Sequence, residues 1–365
     1  MSAAAFVRYR DDIEQPLPDE TRTIDEIVRV FAGLQRLTFE KHRHAVRGAH
    51  AKSHGVLRGE LTVLADLDEP LAQGLFAAPA TYPVIVRLST SIGDVLPDGV
   101  ATFRGVAIKV LGVSGPRLLA EPAGARTQDL TFINHPFFPT GDAAAFLAAQ
   151  RRMARAAHLP EELQETLTNT SRLGAAVVRS LGIADPAGIL GQAKPHAHPL
   201  GVDYFTAAAM RHGAYVAKLA AVPTAAAQQP LRDTTIDVTS DSAITESVQA
   251  YFAAHDAAYE LRAQLCTSLD TMPVEDASVR WSEDESPYRP VARLHLPAQD
   301  PFSDARRVYA DEVLAFSPWN GLAAHRPLGS LMRSRLRAYE ASSAERHARN
   351  VRARVEPERI EELPE

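Results

Sequence analysis

Short apolar segments rich in β-branched residues, each closed off by Gly, Pro or Asp, lie on both sides of one long stretch rich in Ala, Arg, Leu and Glu. No other feature constrains the fold as much. The segments fall at about 56–65, 82–88 and 103–112, then at 203–209, 213–221, 258–267, 277–281 and 290–296. Each has the length and composition of a strand. Residues 142–182 read as helices punctuated by Pro160, within an insertion at about 144–199. Strands before and after a helical insertion predict an α+β chain with an antiparallel sheet or barrel as its core. Ile24, Ile27, Val28, Val30, Phe31 and Leu34 recur at helical spacing, which predicts a helix over 22–40. Residues 326–349, opening with Pro327, read as one long amphipathic helix. The expected units are an N-terminal arm and helix (1–45), a core with its insertion (46–325), a last helix (326–350) and a charged tail (351–365).

A chain of 365 residues can bury a large core without staples. Its net charge of −6 argues against general affinity for nucleic acid or an anionic membrane. A single cysteine, Cys266, excludes intrachain disulfides and cysteine-based zinc sites. No apolar run of about 18 residues is present, so no spanning helix is expected. The start carries no long apolar run and soon turns acidic at Asp11, Asp12 and Glu14. Together these predict a cytoplasmic protein.

Two stretches carry candidate chemistry. His42, His44, His50 and His54 stand close together, at spacings a metal could use. No cysteine or His-Glu-x-x-His pattern accompanies them, and two lie in the basic run Lys41–Arg47, so solvated or core histidines are the plainer account. Within this stretch, Arg47-Gly-Ala-His50-Ala-Lys52 leads into a strand, where an imidazole can point into a barrel. An unprotonated imidazole can accept a proton from a peroxide and return it to the leaving oxygen. The last helix holds Arg335-x-x-x-Tyr339 and then Arg346. Positions i and i+4 share one helix face, so Arg335 can supply the cation that a phenolate needs at neutral pH. On spacing alone, a surface arginine and a core-edge tyrosine account for this pair better.

The motifs, taken in chain order, resemble those of the haem catalase family. Arg47-Gly-Ala-His50-Ala-Lys52 is similar to that family's distal-histidine motif, and Val86-Arg87-Leu88-Ser89-Thr90 to its Val-Arg-Phe-Ser-Thr strand. Arg104-Gly105-Val106-Ala107-Ile108-Lys109 resembles Arg-Gly-Phe-Ala-Val-Lys. Asp129-Leu130 followed by Asn134, Pro136 and two phenylalanines resembles the distal-asparagine segment. Pro290–Leu294, Phe316–Asn320 and the helix Arg335…Tyr339…Arg346…Asn350 complete the series, covering residues 47–350.

The resemblance implies a catalase-like β-barrel, a haem b cofactor and a C-terminal haem-bearing helix. Tyr339 is the implied proximal iron ligand, with Arg335 holding it as phenolate. His50 is the implied distal acid/base, Asn134 the peroxide donor, and Ser89 the hydroxyl that orients the His50 ring. Arg47, Arg87 and Arg346 are the implied partners of the haem propionates, a task suited to the guanidinium fork. Phe137, Phe138 and Phe146 line the haem or belong to plain core. Arg104, Lys109 and the Phe316–Asn320 turn are read as structural. The implied activity is peroxidase or catalase chemistry on hydrogen peroxide or an organic hydroperoxide. A lyase or isomerase acting on a lipid or biosynthetic hydroperoxide is the alternative, and a non-catalytic haem-binding barrel a third. A small organic reductant and a homo-oligomer are left open as partners.

The chain departs from the family in several places. It runs only 26 residues past Tyr339, where large catalases continue into a helical domain, so a compact relative is expected. Ala49 stands where the family has Val, and a single Asn where it often has two. The 144–199 insertion matches nothing in the large enzymes and is a candidate lid.

Overall fold

The structure is a computed structural model and describes residues 6–100, 102–120, 124–156 and 196–365. Its centre is an antiparallel sheet. The strands are β1 (Ser53–Val63), β2 (Thr81–Thr90), β3 (Arg104–Leu111), β4 (Thr127–Ile133), β5 (Tyr204–Phe205), β6 (Met210–His212), β7 (Tyr215–Pro223), β8 (Ala257–Leu265) and β9 (Arg289–Leu296). They are ordered β5-β4-β3-β2-β1-β9-β8-β7-β6, and β5 also pairs with β7. That extra pairing, through Tyr204↔Ala221 and Phe205↔Ala220, closes eight strands into a barrel and leaves β6 as a flap on β7. Closure removes the exposed edges that an open sheet presents.

Side chains alternate across the strands as a barrel requires. Leu57, Leu61, Val84, Val86, Leu88, Ile108, Val110, Leu261 and Leu294 fill the interior. The opposite face of β1–β3 is covered as well. Val56, Ile85 and Leu111 pack against Ala310 and Leu314, and against Leu363 from the end of the chain. A strand covered on both faces reads as a continuous apolar run, which explains why 82–88 is so evident in the sequence. At the β6–β7 turn, Gly213 has φ +61, and a side chain there would strike Gln73.

Among the described residues, five helices flank the barrel: α1 (Glu20–His42), α2 (Ala143–Ala156), α3 (Ala243–Phe252), α4 (Asp304–Glu312) and α5 (Ser330–Arg349). α1, α2 and α5 meet through Ile27, Ala143, Leu147 and Ala338. Arg333 on α5 bonds Glu14, Glu20 and Glu275, tying the N-terminal arm to that helix. No helix among the described residues is long and apolar enough to cross a membrane.

Several expectations need correction. Residues 277–281 form no strand. The Asp276 carboxylate accepts from the Ser278 amide at 2.9 Å and its hydroxyl at 2.6 Å, making a turn. Trp281 is apolar there because it is buried, with the Lys218 ammonium 4.8 Å from its ring. The expected strand 203–209 shrinks to Tyr204–Phe205, because Thr206 spends its hydroxyl on the Leu219 amide and Ala207 turns at φ 63. The last helix begins at Ser330 rather than 326, after Gly329 with φ 90. The charged tail lies against the barrel. Leu363 is buried, and Glu356 joins Asp129 on the buried Lys109 ammonium. Strands β4 and β6 and helices α3 and α4 had no counterpart among the expected elements. Of the predicted helices over 142–182, α2 lies within the described residues, and the part at 157–182 lies outside them.

Candidate active site

Two cross-strand rows build one wall of a cavity. Arg87 pairs with Ala107, which pairs with Thr131; Ser89 pairs with Gly105, which pairs with Ile133. All six positions fall on the outward face of β2–β4, and five of the six side chains line the cavity, Gly105 having none to offer. Arg335 and Tyr339 of α5 line it too, along with Arg47, Ala49, His50, Phe138, Thr206 and Phe316. The cavity measures about 70 Å³, and part of it opens to solvent.

His50 enters this wall through a left-handed backbone, φ 54, held by its amide on Ser91 O at 3.2 Å. Its ring occupies the space over Gly105. A Cβ added there would lie 2.4 Å from His50 Cε1 and 2.5 Å from Nδ1. Ser89 Oγ sits 3.0 Å from His50 Nδ1 and 3.4 Å from Gly105 O. The hydroxyl donates to that carbonyl, so it accepts from His50 Nδ1–H, which leaves Nε2 as the unprotonated nitrogen. Burial, then the charges of Arg87, Arg335 and Arg47, push His50 down to about 3. The imidazole is therefore a neutral acceptor at any ordinary pH.

On α5 the i,i+4 spacing brings Arg335 onto Tyr339. Arg335 Nη2 donates to Tyr339 Oη, and the guanidinium carbon lies 5.0 Å from the Tyr339 ring and 5.5 Å from that of Phe138.

Three further arginines gather behind the cavity at the end of α4. Arg47 donates to Asp311 Oδ1 at 3.0 Å, to Leu314 O at 2.8 Å and to Ala310 O. Arg87 donates to Ala51 O at 3.1 Å, lies 3.6 Å from Asp311, and keeps a buried Nε with no partner. Arg346 donates to Asp311 O and, at 3.0 Å, to Leu314 O. Burial and the like charges of its neighbours hold Arg346 down to about 8 and Arg87 to about 9. The cluster is short of anions.

Two expected site residues are not brought to the cavity. Asn134 Oδ1 accepts from the Arg104 amide at 2.8 Å, and its own amide donates to Arg104 O at 3.1 Å. It pins the start of β3 and does not face the cavity lining. Arg346 stands behind the wall, its fork spent on α4 carbonyls. Of the three phenylalanines, Phe138 lines the space, Phe137 sits against His135, and Phe146 stacks on Phe31 at 6.1 Å. The histidines disperse: His42 pairs with Asp94, His44 with Glu312, and His54 with Thr245. Among the described residues, no group of three or more His, Cys, Asp or Glu side chains is placed to hold a metal ion. Sequence reasoning missed Ala107, Thr131, Thr206 and Asp311, and placed Phe316 in a structural turn. The register rows are the signal that reaches Ala107 and Thr131, because both share a face with Arg87.

Solved structures carry the same barrel. A fungal catalase superposes with a TM-score of 0.57 at 15% identity over 98% of this chain and 72% of its own. A bacterial catalase gives 0.58 at 16% over 93% and 63%, and catalase A from Saccharomyces cerevisiae gives 0.58 at 16% over 95% and 68%. The fold is that of the catalases. This catalase-like chain thus spans between 63% and 72% of those proteins' lengths. No family model matches its sequence, and no curated protein matches it significantly. At such identity the likeness establishes the catalase-like architecture, and the chemistry has to be argued from the cavity.

Proposed function

We propose that the cavity binds haem b and that the protein is a peroxidase or catalase-like enzyme acting on hydrogen peroxide or an organic hydroperoxide. One observation carries the reading: a neutral imidazole and a guanidinium-gripped phenol border the same cavity of a catalase-like barrel. The donor set fits the group. A tyrosine oxygen is a haem-iron ligand type, and that of Tyr339 borders the cavity with the Arg335 guanidinium on it. Arg47 and Arg87 border the cavity in a cluster short of anions, and Arg87 Nε lacks a partner, which suits carboxylates.

In this reading Tyr339 would hold the iron with the Arg335 guanidinium on its oxygen, and Arg47 and Arg87 would take the propionates with Arg346 supporting them from behind. The haem supplies the redox centre at which the peroxide O–O bond breaks. His50 Nε2 takes the proton from the near peroxide oxygen and returns it to the far one, so that the far oxygen leaves as water or alcohol. Ser89 keeps the proton on Nδ1 and thereby keeps Nε2 free. Asn134 acts indirectly, by fixing the start of β3 and with it Gly105 beneath the His50 ring. Phe138 and Ile133 limit water at the reacting atoms.

The test is haemin reconstitution of the purified protein. The parent is expected to take up one haem with a ferric high-spin spectrum of the phenolate-ligated kind, and Tyr339→Phe to lose that spectrum. His50→Ala is expected to keep haem and lose roughly a hundred- to ten-thousand-fold in peroxide turnover. A parent that takes up no haem overturns the proposal.

A further inference from the structure

We propose that Asp311 is an internal stand-in for a ligand carboxylate: it holds the anion position beside Arg47 and Arg87 and gives way when a carboxylate-bearing ligand enters the cavity. The ligand is a haem propionate if the function proposed above holds, and on that reading the inference rests. Three guanidiniums, Arg47, Arg87 and Arg346, face the last turn of α4, and Asp311 is the carboxylate within reach of them: 3.0 Å from Arg47 Nη1 and 3.6 Å from Arg87 Nη2. Glu312 also acts on Arg47 and Arg346 but is itself paired with His44, so two carboxylates at the end of α4 face three guanidiniums and the buried wall keeps an excess of positive charge, which is costly unless a further anion arrives. The α4 carbonyls at Ala310, Asp311 and Leu314 relieve part of that excess, as the negative end of a helix dipole does.

Exposure decides which partner moves. The Arg87 side chain is 3% exposed and that of Arg47 14%, while Asp311 is 36% exposed. The arginines are packed in place, and Asp311 can turn to solvent at little cost. The geometry also separates the two sides. Arg47 and Arg87 both line the cavity, and Asp311 does not, so a ligand carboxylate approaches the arginines from the face opposite Asp311. Arg47 would then exchange its α4 contacts for the ligand, and the last turn of α4 would loosen.

The competition has a signature that an orienting role does not share. Asp311→Asn keeps the shape and removes the charge. It is expected to lower the melting temperature of the haem-free protein and, at the same time, to bind haemin about tenfold more tightly, which corresponds to about 1.4 kcal/mol. If Asp311 instead orients the arginines for the ligand, Asp311→Asn binds haemin equally or more weakly, and the proposal falls. Glutarate, a plain dicarboxylate, is the second probe: it is expected to raise the melting temperature of Asp311→Asn more than that of the parent. This arm decides the matter even if the parent takes up no haemin, an outcome that overturns the proposed function alone. Should Asp311→Asn fail to fold, amide hydrogen exchange on the parent decides. Adding haemin, or glutarate in its absence, is expected to speed exchange across 310–316, and slower exchange there overturns the inference.

Discussion

Acidification from about pH 7.5 to about pH 5.5 is expected to remove roughly 6 kcal/mol of folding stability, through histidines that the fold keeps neutral. His54, His198, His212 and His325 are all buried. Burial pushes His198 and His212 down to about 4 and His325 to about 3, and holds His54 well below its ordinary value, with the Arg104 and Lys52 charges adding to the effect there. In the unfolded chain each returns to about 6.5 and takes up a proton that the folded chain refuses. The unfolded state therefore binds more protons throughout this window, so stability rises with pH and is lost as pH falls through about 6.5. Each of these four contributes slightly more than 1 kcal/mol over the interval, and His50, held at about 3, contributes as much, so the five contribute roughly 6 to 7 kcal/mol. Asp129 works the other way. Burial beside Glu356, offset only in part by Lys109, pushes it up to about 6. The folded state thus takes that proton first, which offsets a small part of the loss. Against a usual stability of about 5–15 kcal/mol, the remaining loss brings the protein close to unfolding. Urea titrations followed by the fluorescence of buried Trp281 and Trp319 measure the swing, and His325→Gln is expected to shrink it by about 1 kcal/mol. A swing below about 2 kcal/mol in the parent, or an unchanged one in His325→Gln, refutes the reasoning. His50, held at about 3, stays neutral across the whole window. On the proposed function, acid loss of turnover then follows unfolding rather than His50 protonation.

Other outcomes follow from the cavity wall. Gly105→Ala puts a methyl group 2.4 Å from His50 Cε1, so the ring must move off Ser89; peroxide turnover is expected to fall about a hundredfold with circular dichroism unchanged, and parent-level turnover would show that this placement is immaterial. Ala49, Ala107, Thr131 and Thr206 are small side chains lining the cavity. An alkyl hydroperoxide is therefore expected to be used at least as well, relative to hydrogen peroxide, as by a large catalase assayed alongside, and equal rejection by both proteins would defeat this.

The parts of the fold visible in the sequence were those where burial dictates composition. β2 and β3 are covered on both faces, so their apolar runs stand out. α1 buries one face and shows the helical period, whereas α5, expected to be amphipathic, buries Ser330, Ser334, Arg346 and His347 beside Leu331, Met332 and Ala338 and so carries almost no apolar stripe. β5 was overestimated because the residues after it serve other ends than a ladder: half-buried Thr206 makes a hydroxyl bond, and buried Ala207 and Ala208 make a left-handed turn and pack on Met332. α3 and α4 were missed for a related reason. α4 is short and largely polar outside Ala310, and its boundary depends on Ser303 capping the Arg306 amide at 3.3 Å, a local bond that periodicity does not register.

The site divides along the same physical line. Arg87 with Ser89, and Arg335 with Tyr339, are neighbours along the chain and in space: alternate residues on β2, and i,i+4 on α5; His50, 39 residues from Ser89, is reached only through its own motif. Neighbours of that kind can be read from one segment. Asn134 and Arg346 also sit in recognisable motifs, but what a side chain touches depends on the segment packed against it. Here the start of β3 claims the Asn134 carboxamide, and the end of α4 claims the Arg346 fork. Asp311 is the converse case. It belongs to no motif, and nothing about an acidic residue near the end of a polar helix announces a partner. It matters because the fold carries it to Arg47, 264 residues away in sequence. The charge balance of this cavity is therefore set by the contact between α4 and the loop before β1, and a substitution on α4 is expected to change anion binding without touching any motif residue.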